Sequence, residues 1–184
     1  MSKQFIKIDD MEAKPEWYLP MLKRYFFRDT FPFISNRQAR RVIRFGLEEM
    51  ARPFKRNFLP GLKPFAGSSW WAITLDCANF IIDYAKQNPQ VVKFYKKSFA
   101  SDEQFYHTVI GNSKFARQIK FPEKNDRIGV HEFANLHIVH PSLQKIYGRE
   151  DFEEISKSDK FFVRKVTTQT STTLLDMIDA NLLK

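Results

Sequence analysis

An α/β fold is expected from three features of the sequence. Apolar residues recur at helical spacing in several segments, short runs rich in Trp, Ile, Phe and Val lie between them, and the two kinds alternate along the chain. With 184 residues the chain can bury one substantial core, and a single domain over 1–184 is expected. Hydrophobic residues make up 43% and charged residues 28%, a balance that excludes a disordered or low-complexity chain.

The elements follow in order. Phe5, Ile6 and Ile8 predict a short strand closed by an acidic turn at Asp9 and Asp10. A helix is expected over Trp17 to Arg28, with Pro20 near its first turn. Ser35 and Gln38 form a capping-box pattern before a helix whose Ala39, Val42, Ile43, Gly46, Leu47 and Met50 make an apolar stripe. Pro53, Pro60 and Pro64 mark a loop that ends at Phe65, and Ser69 to Thr74 reads as a buried strand. Thr74 can cap the next helix, whose Ala78, Ile81, Ile82 and Ala85 face the core until Pro89 stops it.

A further helix over Gln90 to Lys97 leads to Ser101, where Gln104 completes a second capping-box pattern. Extended segments are expected around Arg127 to Val130 and Asn135 to Val139. A helix is expected at Glu150 to Lys157, then an apolar strand over Phe161 to Val166. The last helix buries Leu174, Leu175, Ile178 and Leu182.

Thirty Lys and Arg against 21 Asp and Glu give a formal charge of +9, which suits nucleic acid, anionic lipid or a sugar-nucleotide diphosphate, or simply a solvated surface. Arg37, Arg40, Arg41 and Arg44 share one face of the second helix. That face could dock on anionic lipid or a phosphate, or stand solvated. No apolar run approaches the roughly 20 residues of a membrane-spanning helix, and Met1 to Ile8 lacks the features of a secretory signal. Cys77 is the only cysteine, so no disulfide and no cysteine zinc site forms within the chain. A cytoplasmic location is expected, with peripheral contact at the inner membrane surface through the Arg37–Arg44 face.

Three groups of residues carry candidate chemistry. With Ser101 as N-cap, Glu103 takes the second helical position, where the macrodipole favours its ionised form by about 0.3 to 1 kcal/mol. Phe105 and Val109 then point to one side and Glu103, His107 and Ile110 to the other, which lets Glu103 face a cleft as a general base; a plain helix-capping role is the alternative. Arg164 and Lys165 interrupt an apolar strand, where cations require solvent, a carboxylate or a bound anion; both reach one ligand only if the strand ends there. Gly67, Ser68, Ser69, Trp70 and Trp71 combine a permissive backbone, two hydroxyls and two indoles. Such a segment suits a saccharide-binding edge, with at least one Trp left for the core.

The order of these segments is specific. GSSWWAIT at Gly67 to Thr74 is followed by SDEQFYHTVI at Ser101 to Ile110, by Asn112 and Ser113, and by FFVRK at Phe161 to Lys165. This order resembles the core-2/I-branching β-1,6-N-acetylglucosaminyltransferases and the related peptide-O-xylosyltransferases, best from Leu62 to Lys184. The resemblance implies the C-terminal, acceptor and catalytic half of a GT-A-like fold with three-layer α/β/α character. It further implies inverting, metal-independent transfer of GlcNAc from UDP-GlcNAc to a sugar 6-hydroxyl of a glycan acceptor. Glu103 matches the family's base, Arg164 and Lys165 its diphosphate-binding cations, and Ser68, Ser69 and Trp70 positions near the bound sugars. No Asp-x-Asp occurs, in keeping with a transfer that needs neither metal nor other cofactor.

Two departures accompany the match. Ser69 stands where the xylosyltransferases look acidic, which leaves the sugar open and keeps a UDP-xylose enzyme as an alternative. The family's N-terminal nucleotide-binding half is expected to be absent from these residues, which leaves an inactive truncated remnant as a second alternative. A basic nucleic-acid-binding module is the third; with no recognised motif for it, no nucleic-acid partner is expected.

Overall fold

The computed structural model describes residues 3–13, 15–28, 30–119 and 136–183. They form a mixed α/β chain with seven α-helices and two small sheets. The expected extended segment at Arg127 to Val130 lies outside the described residues. The helices are α1 (Pro15–Lys23), α2 (Arg37–Met50), α3 (Leu75–Gln87), α4 (Pro89–Tyr95), α5 (Phe105–Gly111), α6 (Phe152–Ser156) and α7 (Thr172–Leu182). The strands are β1 (Asp9–Asp10), β2 (Phe65–Ala66), β3 (His137–Val139) and β4 (Phe162–Arg164). Two compact units result: Ile8–Ser69 with Thr74–Gln118, and Lys3–Lys7 with Trp70–Ile73 and Ile119–Lys184.

In the first unit β1 and β2 pair antiparallel, Asp9 opposite Ala66 and Asp10 opposite Phe65. The sequence places a turn at these aspartates. They form a strand because Asp10 is anchored: its carboxylate meets Lys63 Nζ at 2.7 Å and accepts from the Glu12 amide at 3.0 Å. The Lys63 contact holds the Asp10 carboxyl below the usual range, against the opposing effect of burial. The expected strand over Phe5, Ile6 and Ile8 shrinks in the second unit to isolated bridges, Gln4 with Ile119 and Phe5 with Ala72. The expected buried strand at Ser69 to Thr74 is likewise reduced to that Ala72 bridge, and Ser69 is exposed.

Helix α3 starts as the sequence predicts, with Thr74 Oγ1 accepting from the Cys77 amide at 3.3 Å. Its core residues are Cys77 and Ile81, whereas Ile82 is 52% exposed, so the buried face is rotated about the helix axis away from Ile82. Burial pushes the Cys77 thiol up to about 11, so it stays protonated and inert near neutral pH. Pro89 does not merely stop α3; it opens α4 at a position that needs no amide donor. Helix α1 ends at Lys23, short of the expected Arg28. Beyond it Arg56 ties three segments together, donating to Leu22 O and Phe94 O, both at 2.9 Å, and to Ser98 Oγ at 2.6 Å. Burial lowers its pKa to about 10, which leaves the guanidinium charged and satisfied without a carboxylate.

Helix α2 departs furthest from expectation. Its N-cap is Asn36, whose Oδ1 accepts from the Gln38 and Ala39 amides, in place of the Ser35 capping box. None of its residues is buried.

In the second unit β3 and β4 run parallel with His137 opposite Phe162, and α6 packs on α7. The core here is Tyr147, Ile155 and Leu174, with Ile138, Phe152, Val163 and Ile178 against it. Ser171, fully buried at the start of α7, donates to Tyr147 O at 2.6 Å and accepts from the Thr167 amide at 3.0 Å. The expected helix at Glu150 to Lys157 is a 3₁₀ turn over Arg149–Asp151 followed by the short α6. Phe161 and Phe162 are 72% and 54% exposed, so β4 is not the apolar core strand its composition suggests. Leu182, at 43% exposure, lies outside the buried stripe of α7.

Candidate functional site

The Gly67–Ser69 segment is held in place by α5. Thr108 Oγ1 accepts from the Phe65 amide and donates to Phe65 O, both at 3.1 Å. Its single proton being so used, the Tyr95 hydroxyl at 2.7 Å must donate to it. One turn on, Asn112 clamps Lys63: Nδ2 donates to Lys63 O at 2.7 Å and Oδ1 accepts from the Lys63 amide at 2.9 Å. Gly111 lets the Phe65 ring lie flush on the helix, because a Cβ there would come within 2.5 Å of that ring. The last tie is the one nearest the chemistry. The Gly67 amide donates to the Glu103 carbonyl at 2.9 Å, so Ser68 and Ser69 begin one residue from that contact.

Glu103 itself does not sit in a capped α-helix. Ser101–Glu103 form a 3₁₀ turn entered through Ala100 in the left-handed region, at φ 44°, and Gln104 separates the turn from α5. The expected Ser101–Gln104 capping box is absent: Gln104 is buried, and its Nε2 donates to Phe99 O at 2.6 Å. The macrodipole therefore supplies little, because its influence is confined to the first turn of α5. The Glu103 carboxyl is instead raised above its ordinary pKa, first by burial and second by the neighbouring Asp102 charge, with Arg28 pulling the other way. The residue as a whole is exposed, so this desolvation is partial, but it increases the base strength of the carboxylate.

His107, which the sequence sets on the same side as Glu103, is fully buried. Burial pushes its pKa down to about 4, against weaker opposing effects of the Ser68 backbone and Asp102, so the imidazole is neutral near pH 7. Among the described residues neither ring nitrogen has a well-formed partner.

The second unit carries a different arrangement. Trp70, His137 and Phe162 form a ladder of rings, with centroids 4.8 Å apart for the first pair and 4.9 Å for the second. The parallel register sets His137 beside Phe162, and strand alternation puts Phe162 and Arg164 on one face of β4. The Arg164 guanidinium accordingly lies 4.6 Å from the Trp70 ring centroid. Burial, and secondarily the Arg164 charge, lowers the pKa of His137. Strand β4 ends at Arg164, so alternation does not force the Lys165 side chain to the opposite face. Lys165 is exposed, its backbone held by Lys145 O at 3.4 Å and by the Tyr147 amide at 2.9 Å.

Ser68, Ser69 and Glu103 thus belong to the first unit, and Trp70, Arg164 and Lys165 to the second. Glu103 is tied to the serine segment, and Arg164 meets Trp70. Sequence reasoning misses Arg28, His137 and the burial of His107. Only His137 left a local sign, a ring alternating with apolar neighbours in an extended segment. Among the described residues no three His, Cys, Asp or Glu side chains gather as a metal site, and no helix is long and apolar enough to cross a membrane. Compared with known proteins, the chain matches no family model and no curated protein.

Proposed function

We propose that the chain is the acceptor-side and catalytic portion of an inverting UDP-sugar glycosyltransferase with a GT-A-like fold. In this reading it transfers GlcNAc to a sugar 6-hydroxyl. The observation that carries the reading is the Gly67–Glu103 hydrogen bond, which ties the backbone entering the Ser68–Ser69 segment to the backbone of a glutamate whose carboxyl pKa is raised. The motif order from Leu62 to Lys184 supports it independently. Glu103 takes the proton of the acceptor hydroxyl as that oxygen attacks the anomeric carbon. The bond to UDP breaks in the same displacement, configuration inverts, and no covalent enzyme intermediate forms. Arg164 and Lys165 take up the charge of the departing diphosphate. Trp70, which meets the Arg164 guanidinium, supplies an aromatic ring of the type that packs against sugars.

Incubation of the protein, completed by a nucleotide-binding half, with UDP-GlcNAc and a panel of glycan acceptors tests this. Acceptor-dependent UDP release with a β-linked product is expected, and it should persist in EDTA because the leaving charge is assigned to side chains. An α-linked product, or activity that EDTA abolishes and manganese restores, would overturn the assignment.

A further inference from the structure

Helix α2 is built inside out for a helix of a closed globular unit. Val42, Phe45 and Met50 are 70%, 64% and 75% exposed, and Ile43 is 40% exposed. At about 100° per residue these four span an arc of roughly 160°. The neighbouring Phe33 and Phe54 are exposed as well, at 77% and 67%. On the opposite arc Arg37, Arg40, Arg41 and Arg44, with Gln38 and with Arg28 from the preceding loop, line a concavity of about 640 Å³. Arg44 lies 3.8 Å from Glu48, and among the described residues none of the other four arginines has a carboxylate within ion-pairing distance. The residues from Lys23 to Arg56 contain ten Lys and Arg against three Asp and Glu, a net +7 out of the chain's +9.

An apolar arc backed by a cationic arc is the pattern of a helix lying in a membrane interface, with side chains in the acyl boundary and guanidinium groups at the phosphates. We infer that α2 and its flanking Phe33 and Phe54 dock this protein on an anionic lipid surface. Charge complementarity selects this occupant. A second copy would bring two faces of net positive charge together, and a free polyanion would satisfy the arginines while leaving the apolar arc in water. The inference stands apart from the glycosyl-transfer reading, since no residue of α2 belongs to that site.

Flotation of the full chain with phosphatidylcholine vesicles, with and without phosphatidylserine, tests it. Binding is expected only to the anionic vesicles, falling about fivefold for each arginine removed in Arg37→Gln and Arg41→Gln. Val42→Ser with Phe45→Ser, at positions too exposed to disturb folding, is expected to reduce it at least about tenfold. Thermal unfolding of each variant confirms that the fold is kept. Equal binding to neutral vesicles, or none to anionic ones, would overturn the inference. So would serine variants that bind normally while tripolyphosphate displaces the protein, which means polyanion recognition without docking. A dimer in sedimentation that the serine variants dissociate would assign the apolar face to a second copy instead.

Discussion

Glu103→Gln is expected to lower transfer from UDP-GlcNAc, in the enzyme completed by a nucleotide-binding half, by about 10² to 10⁴-fold, equivalent to about 2.7 to 5.5 kcal/mol of transition-state stabilisation. The amide keeps the shape of the side chain and cannot accept a proton. The backbone tie to Gly67 uses the Glu103 carbonyl, not its carboxyl, so the substitution leaves the serine segment where it is. A stability effect is expected to be small, because the residue is exposed and no side-chain cap depends on it. The contrast is between kcat, which falls, and the melting temperature and donor affinity, which hold. A variant that keeps more than about a tenth of wild-type turnover would remove Glu103 from the role of base.

The second large effect is expected at the cationic pair. Lys165→Ala removes one charge from the developing diphosphate and is expected to cost about 10² to 10³-fold in kcat/KM, with UDP affinity weakened as well. The side chain is exposed while its backbone carries the bonds to Lys145 and Tyr147, so alanine preserves the local structure. Arg164→Lys is a more selective probe. It keeps the charge and gives up the planar contact with Trp70, so sugar binding is expected to suffer more than diphosphate binding. Isothermal calorimetry with UDP and with UDP-GlcNAc separates the two. Unchanged UDP affinity in Lys165→Ala would contradict the diphosphate role.

Legibility of the fold varied with how local its causes are. The Thr74 cap, the Pro89 break and the buried Leu174 could be read from sequence because each depends on a few neighbouring residues. The Asp9–Asp10 strand could not, because its anchor, Lys63, is far along the chain. The capping boxes proposed at Ser35 and Ser101 both failed for a similar reason. Asn36, one residue on, offers the better acceptor, and Gln104 finds a stronger partner in the Phe99 carbonyl once buried. Periodicity gave α2 its boundaries to within a residue or two, yet periodicity reports only that a face is apolar, not what covers it. For the candidate site, the sequence supplied the residues and the structure supplied two local groupings: Glu103 with Gly67, and Arg164 with Trp70. The His137 ring between Trp70 and Phe162 depends on strand register, which no local pattern encodes.

The pH dependence of kcat/KM, recorded for the wild type and for Glu103→Gln, tests the central claim most directly. A base must be ionised to act, so transfer is expected to be full above the folded pKa of Glu103. It then falls about tenfold per pH unit below that pKa. Because burial and Asp102 raise that pKa, the acid limb is expected to bend above the ordinary glutamate value of about 4.3, and the residual activity of Glu103→Gln should lack the bend. A wild-type profile with no acid limb, or the same limb persisting in Glu103→Gln, would contradict the assignment of Glu103 as the base.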